Sequence, residues 1–222
     1  MNDYLPSQPD ATGFILAGGH SSRMGRDKAL LEFAGRLLIV HTLAILEQAG
    51  LPAAIAGAAP SARAPLGLFA PLIQDSAPGK GPLSGICAAL ASTSARYEVF
   101  LPVDLPFLPP PLLVVLVSHA RATRSAVTVP SVSGFAQTFP AVVDRAALTA
   151  LQNELNAGRS GCFSAFQAAA AALNQPFSAI AVEPLLASGQ LSDPRNRAPA
   201  DWFLNLNTPT DLARAEALHK TP

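Results

Sequence analysis

Short apolar runs alternate with longer runs of helical spacing along this chain, and that alternation predicts a succession of strands and helices. Strands are expected over 13–17, 53–56, 70–73, 99–103, 126–130, 139–143 and 178–182. Helices are expected over 37–48, 83–92, 110–122, 145–156, 162–173 and 209–218. Strand followed by helix, repeated, is the signature of a parallel sheet with covering helices. The alanine tract at 165–172 reads as helix rather than low complexity, because alanine has the highest helix propensity. The stretch 188–199 has no apolar period and reads as a surface loop. One α/β domain over 11–222 is expected, behind a loose polar tail over 1–10. In such sheets ligands bind at the carboxyl ends of the strands, so the polar residues there are the candidates for chemistry.

The first of those ends is GFILAGGHSSRMGRDK at 13–28. Gly18, Gly19 and Gly25 let the backbone bring its N–H groups against phosphate oxygens, and Arg23 and Lys28 neutralise the charge on them. Glycine turns after strands often only connect elements. Three cations (Arg23, Arg26, Lys28) against one carboxylate (Asp27), in a sparingly charged chain, favour a phosphate cradle. The loop matches neither GxxxxGK[ST] nor GxGxxG.

The second end is VFLPVDLPFLPP, where Asp104 follows an apolar run. Alone it serves as well as a turn residue before prolines; beside a phosphate loop it suits Mg²⁺, held by a carboxylate plus substrate phosphates. The third is Gln74-Asp75 and the proline-stiffened turn into the helix near Leu83, whose N-terminus offers free N–H groups. The fourth is Asn205-Leu206-Asn207-Thr208-Pro209, with Thr208 placed to cap a helix and Pro209 at its first position. Asn205 and Asn207 alternate along an extended segment and would face one side.

Composition narrows the partners. Half of the 222 residues are hydrophobic, 14% are charged and the net charge is zero, leaving no basic field for nucleic acid or an anionic membrane. Prolines interrupt the richest apolar region, so no membrane span is expected. Cys87 and Cys162 have no metal spacing, and MNDYLPSQPD lacks the regions of a secretory leader, which points to a reduced, cytoplasmic protein. The four histidines show no metal pattern, and Ser21 and Ser22 sit in no nucleophile elbow.

LAGGHSSRMGRDKALL at 16–31, QDSAPGKGPLSGICAAL at 74–90, LPVDLPFL at 101–108 and NLNTPTDL at 205–212 resemble, in order and over nearly the whole chain, the molybdenum cofactor guanylyltransferases. These are the MobA-like branch of the nucleotidyltransferases. The resemblance implies a three-layer α/β/α, Rossmann-like, mostly parallel sheet and transfer of GMP from GTP to the molybdopterin cofactor. It implies Leu16, Ala17 and Gly18 against the nucleotide, Arg23 and Lys28 on its phosphates, Asp75 near the guanosine and Asp104 on Mg²⁺. Asn205 and Asn207 would face the pterin. The partners it implies are GTP, molybdopterin cofactor, cofactor-biosynthesis proteins and the molybdoenzyme apoproteins that receive the product. Two departures stand out: IAGAAP lacks the asparagine that members often carry, near Gly57 or Ala58, and AGRSGCF keeps only Arg159 of a basic pair. A relative using CTP or another phosphate acceptor, and a non-catalytic cofactor-delivery protein, remain the alternatives.

Overall fold

The computed structural model describes residues 10–18, 27–75 and 80–220. The first half runs β1 (Ala11–Leu16), a hairpin of β2 (Glu32–Phe33) and β3 (Arg36–Leu37), α1 (Leu38–Gln48), β4 (Ala53–Ala56), α2 (Pro60–Leu66), β5 (Leu72–Ile73) and α3 (Pro82–Ser92). Next come β6 (Tyr97–Pro102), α4 (Pro110–Thr123), β7 (Val127–Val132), β8 (Phe135–Ala136), β9 (Ala141–Asp144) and α5 (Leu148–Asn156). The chain closes with α6 (Cys162–Leu173), β10 (Phe177–Ala181), α7 (Val182–Ala187), α8 (Pro199–Trp202) and α9 (Pro209–Lys220).

The main sheet has the order β10-β7-β9-β6-β1-β4-β5, with β8 hung on β7. β1 pairs in parallel with both β4 and β6, β4 with β5, and β7 with β10. β9 runs against β6 and β7, between which it is inserted. The sheet is therefore mostly parallel, as the alternation predicts. Its central strands are apolar almost without interruption because both faces are covered. On one face β1 and β6 present Ile15, Val99 and Leu101 to α1, α4 and α9; on the other, Phe14 and Phe100 pack under α3, α5 and α6. Phe14 and Phe100 stack at 5.7 Å across the β1–β6 pair.

Every predicted strand and helix has a counterpart, with ends moved by a few residues. The segments read as connection hold more structure than expected. α2 spans PSARAPL, a stretch for which no element was expected; Pro60 occupies the first turn, where its missing N–H costs nothing, and Pro65 lies inside the helix. VEPLLA starts a helix at Val182, the last residue of the expected strand, again with its proline in the first turn. The 188–199 loop is tied down by Asp193, whose side chain is 2% exposed.

Candidate active site

β1 is the point where the chain changes direction across the sheet: its neighbours β4 and β6 lie on opposite sides, and the crevice at its carboxyl end is where such folds bind ligands. Two backbone bonds set the mouth of that crevice. Ala17 N–H donates to Ala56 O at 3.0 Å, and Val103 N–H donates to Leu16 O at 3.3 Å. Leu16, Ala17 and Gly18, at and beyond the end of β1, and Pro102, Val103 and Asp104, at and beyond the end of the adjacent β6, line the cleft side by side.

Three side chains from distant parts of the sequence meet there. Lys28 opens a short 3-10 turn, Lys28–Leu30, capped by the Asp27 carboxylate, which accepts from Ala29 N–H at 3.0 Å. Asp104 stands two residues beyond the end of β6 at Pro102 rather than at the strand end itself. Its carbonyl accepts from Leu206 N–H at 3.1 Å, which draws the Asn205–Asn207 segment alongside. Lys28 Nζ then donates to Asp104 Oδ2 at 2.9 Å and to Asn207 Oδ1. Both charged side chains are mostly covered, at 18% and 16% exposure, so their attraction is less screened than that of a surface pair. Asn207 is fixed from behind: Asp211 Oδ2 accepts from Asn207 N–H at 3.1 Å and from Thr208 N–H at 2.8 Å. In return Asp211 N–H donates to Thr208 Oγ1 at 3.2 Å, a reciprocal cap that starts α9.

Behind the wall, three glycine backbones pack against one another. A Cβ on Gly18 would lie 2.5 Å from Gly57 O, and one on Gly85 would lie 3.2 Å from Gly57 Cα. Gly57 has φ +72°, a conformation that asparagine tolerates better than other side chains, and a Cβ there would meet nothing nearer than 3.7 Å. The departure from the asparagine pattern at this place thus removes a side chain and leaves a backbone position that could carry one. Asp75 follows β5 and accepts a hydrogen bond from Ser84 Oγ in the first turn of α3.

Leu16, Ala17, Gly18, Lys28, Asp104, Asn205 and Asn207 are therefore gathered at one cleft. Asp75 stands on the next part of the sheet edge, with Ser84. Gly19, Arg23 and Gly25 lie outside the described residues. Arg159 is directed at Glu154, with both fork contacts at 2.6 Å on an exposed surface. The reading from sequence missed Phe139, which enters the cleft from the β8–β9 connection and packs edge-to-face on Phe166 at 6.1 Å. The expected strand over 139–143 gave Phe139 an apolar, structural reading, and the observed β9 begins only at Ala141. It also missed Ser84 as the partner of Asp75.

The donors present fit a hard divalent cation in one way. Among the described residues no group of three or more His, Cys, Asp or Glu could hold a metal by itself. Asp104 supplies a single carboxylate facing a cleft, the arrangement Mg²⁺ takes when substrate phosphates complete its shell. No described helix is long and apolar enough to cross a membrane. Both cysteines are free and buried, and burial pushes the thiols up, Cys87 to about 11 and Cys162 to about 12, so neither is a reactive thiolate.

A parallel-sheet crevice that joins a lysine, an aspartate and an asparagine at the end of β1 defines an α/β domain of nucleotidyltransferase type. Residues 13–182 match the MobA-like NTP transferase domain, and the chain belongs to that family. It is 31% identical over 94% of its length to a probable molybdenum cofactor guanylyltransferase of Pelotomaculum thermopropionicum, covering 93% of that protein. It is 35% identical to the molybdenum cofactor guanylyltransferase of Rhodobacter capsulatus, over 92% of this chain and 94% of that one. Among solved structures, molybdopterin-guanine dinucleotide biosynthesis protein A from Archaeoglobus fulgidus superposes with a TM-score of 0.75 at 22% identity, covering 95% of this chain and 100% of that one. The 2-C-methyl-D-erythritol 4-phosphate cytidylyltransferase of Thermus thermophilus shares the fold with a TM-score of 0.66 at 22% identity, over 93% and 97% of the two chains.

Proposed function

We propose that this protein is a Mg²⁺-dependent molybdenum cofactor guanylyltransferase that transfers GMP from GTP to the molybdenum-molybdopterin cofactor in the cytoplasm. A terminal phosphate oxygen of the cofactor attacks the α-phosphorus of GTP, the bond to the β-phosphate oxygen breaks, and pyrophosphate leaves. The observation that carries this reading is the meeting of Lys28, Asp104 and Asn207 at the end of β1. Such a reaction needs no side-chain nucleophile; it needs alignment and charge neutralisation.

Leu16, Ala17 and Gly18 bring their backbone against the nucleotide, and Lys28, with Arg23 of the glycine loop, balances phosphate charge. Asp75 is assigned to the guanosine side. Asp104 would hold Mg²⁺, which supplies charge neutralisation at the phosphates when bound. Asn205 and Asn207 are assigned to the pterin substrate as amide donors and acceptors.

Purified protein with GTP, Mg²⁺ and molybdopterin cofactor should release one pyrophosphate per dinucleotide formed. Release with CTP and not GTP would move the reading to a cytidylyltransferase. The absence of turnover with every nucleotide, alongside retained binding of the cofactor, would replace it with a delivery role.

A further inference from the structure

A second concave site lies on the far side of the 104–108 loop and has no lining residue in common with the cleft described above. Its floor is aromatic. Phe33 and Phe107, both almost fully buried, meet edge-to-face at 5.5 Å, and the rings of His41 and His219 pack on Phe33 at 5.2 and 5.4 Å. Its rim is cationic, with Arg36, Arg195 and Arg197 against one carboxylate, Asp193, in a chain whose net charge is zero.

The rim is built. Asp193 accepts from the Arg197 fork at 2.8 and 2.9 Å, from the N–H groups of Arg195 and Arg197 at 3.0 and 3.1 Å, and from the Trp202 indole at 3.1 Å. Burial pushes its carboxyl up, and those donors overcome that and hold it below the usual range. Asp193 and Arg197 cancel each other, which leaves Arg36 and Arg195. Arg195 is held by a neutral partner: its Nη1 donates to His219 Nδ1 at 3.0 Å, and an arginine can only donate, so that nitrogen is the unprotonated one. Burial, followed by the charge of Arg195, holds His219 below its ordinary pKa, consistent with that tautomer. Arg36 reaches the same pocket from the hairpin, because it pairs across from Phe33 and so shares its face, while Glu32, across from Leu37, is on the other. Among the described residues neither Arg36 nor Arg195 is ion-paired to a carboxylate.

Exposed arginines are often simply solvated. Here two of them, lacking a carboxylate, converge over a buried aromatic floor, and a third, with an acid of its own, fixes the loop that presents one of them. We propose that this pocket is a second anion site, taking the phosphoryl or pyrophosphoryl group of a small molecule on the Arg36 and Arg195 guanidinium groups. Guanidinium forks suit phosphate oxygens, and two uncompensated charges suit an anion carrying at least two. The ligand can be a free phosphate or pyrophosphate, or the phosphate end of a nucleotide.

The test is a titration of the intact protein with sodium pyrophosphate, inorganic phosphate and GTP in turn, followed through the histidine ring signals in NMR. The signals of His41 and His219 are assigned with H41Q and H219Q. Both signals should move and saturate, and R36Q/R195Q should weaken that response at least about tenfold, the worth of one charge-assisted contact. Pyrophosphate acting as well as GTP identifies a free anion, and GTP acting alone identifies a nucleotide; either supports the site. The proposal is overturned if neither signal moves, if R36Q/R195Q responds like the wild type, or if sodium chloride at matched ionic strength gives the same shifts. A hexaglutamate peptide that outcompetes every phosphate would also overturn it, in favour of a protein partner.

Discussion

Glu98 on β6 is fully buried, and neither of its carboxylate oxygens has a hydrogen-bond partner among the described residues. Its strand neighbours are Thr12 and Val143, and its side chain shares the sheet face of Phe14 and Phe100. Burial pushes its carboxyl up from 4.5 to about 8, with Arg145 pulling it down and Asp144 pushing it up. The group is therefore protonated in the folded protein at neutral pH and ionised in the unfolded chain. Below the unfolded value both states hold the proton and the titration contributes nothing. Between 4.5 and about 8 the unfolded state gains stability by about 1.4 kcal/mol per pH unit, so stability falls as pH rises. The cost is about 1 kcal/mol at pH 5 and about 4 kcal/mol at pH 8. Glu98→Gln keeps the shape and removes the titration. In urea unfolding followed at both pH values, its advantage over the wild type should grow by about 3 kcal/mol from pH 5 to pH 8. Because the comparison is between two proteins at each pH, titration of other groups cancels. An advantage that stayed constant within about 0.5 kcal/mol would refute the reasoning, since it would mean that Glu98 ionises as readily in the fold as outside it.

Asp104→Asn should leave the fold intact, because Lys28 can still donate to the amide oxygen, and should lower the rate of pyrophosphate release by about 10²–10³-fold; an unchanged rate would remove Asp104 from the chemistry. Gly18→Ala places a methyl 2.5 Å from the Gly57 carbonyl, a backbone atom that yields only if β1 and β4 part, so a loss of about 1–3 kcal/mol is expected in chemical unfolding together with a fall in activity. Thr208→Ala removes the hydroxyl that caps Asp211 N–H and should cost about 1 kcal/mol in the same assay, a loss that Thr208→Ser should largely restore.

Much of this fold is legible in the chain because its central strands are apolar on both faces and its helices are long enough to show a period. Leu38–Gln48 and Cys162–Leu173 are cases where the pattern gives nearly the observed bounds. What the pattern hides is short or proline-bearing. Two-residue strands such as Glu32–Phe33 and Arg36–Leu37 have no period to detect, and Pro60 and Pro65 mask α2. The reversal of β9 is hidden for another reason, since one apolar strand reads the same in either direction. At the site, residues at or just past the strand ends could be placed at the cleft from position alone, as Leu16, Gly18 and Asp104 show. The bond from Lys28 to Asn207 joins residues 179 positions apart, and no local signal pairs them. Asp193 shows the opposite failure: DPRNR reads as solvated, and the structure buries its acid under three kinds of donor.

The arrangement around Lys28 bears on how the cleft can work before any substrate arrives. A free lysine side chain loses about 1.5–2 kcal/mol of rotamer freedom when a ligand fixes it, a factor of more than ten in affinity. Lys28 has already lost most of it, because Asp104 and Asn207 hold its ammonium from two sides. Those two are held in turn: Asp104 carries the Leu206 N–H on its carbonyl, and Asn207 is bound through its N–H to the Asp211 carboxylate that opens α9. An incoming triphosphate exchanges partners with an ammonium that is already in place, and the ordering cost falls on folding rather than on binding. The same link makes Asp104 depend on a segment more than a hundred residues later in the chain. That dependence gives a physical reason for Asn205-Leu206-Asn207-Thr208 to share one cleft with the glycine-loop lysine.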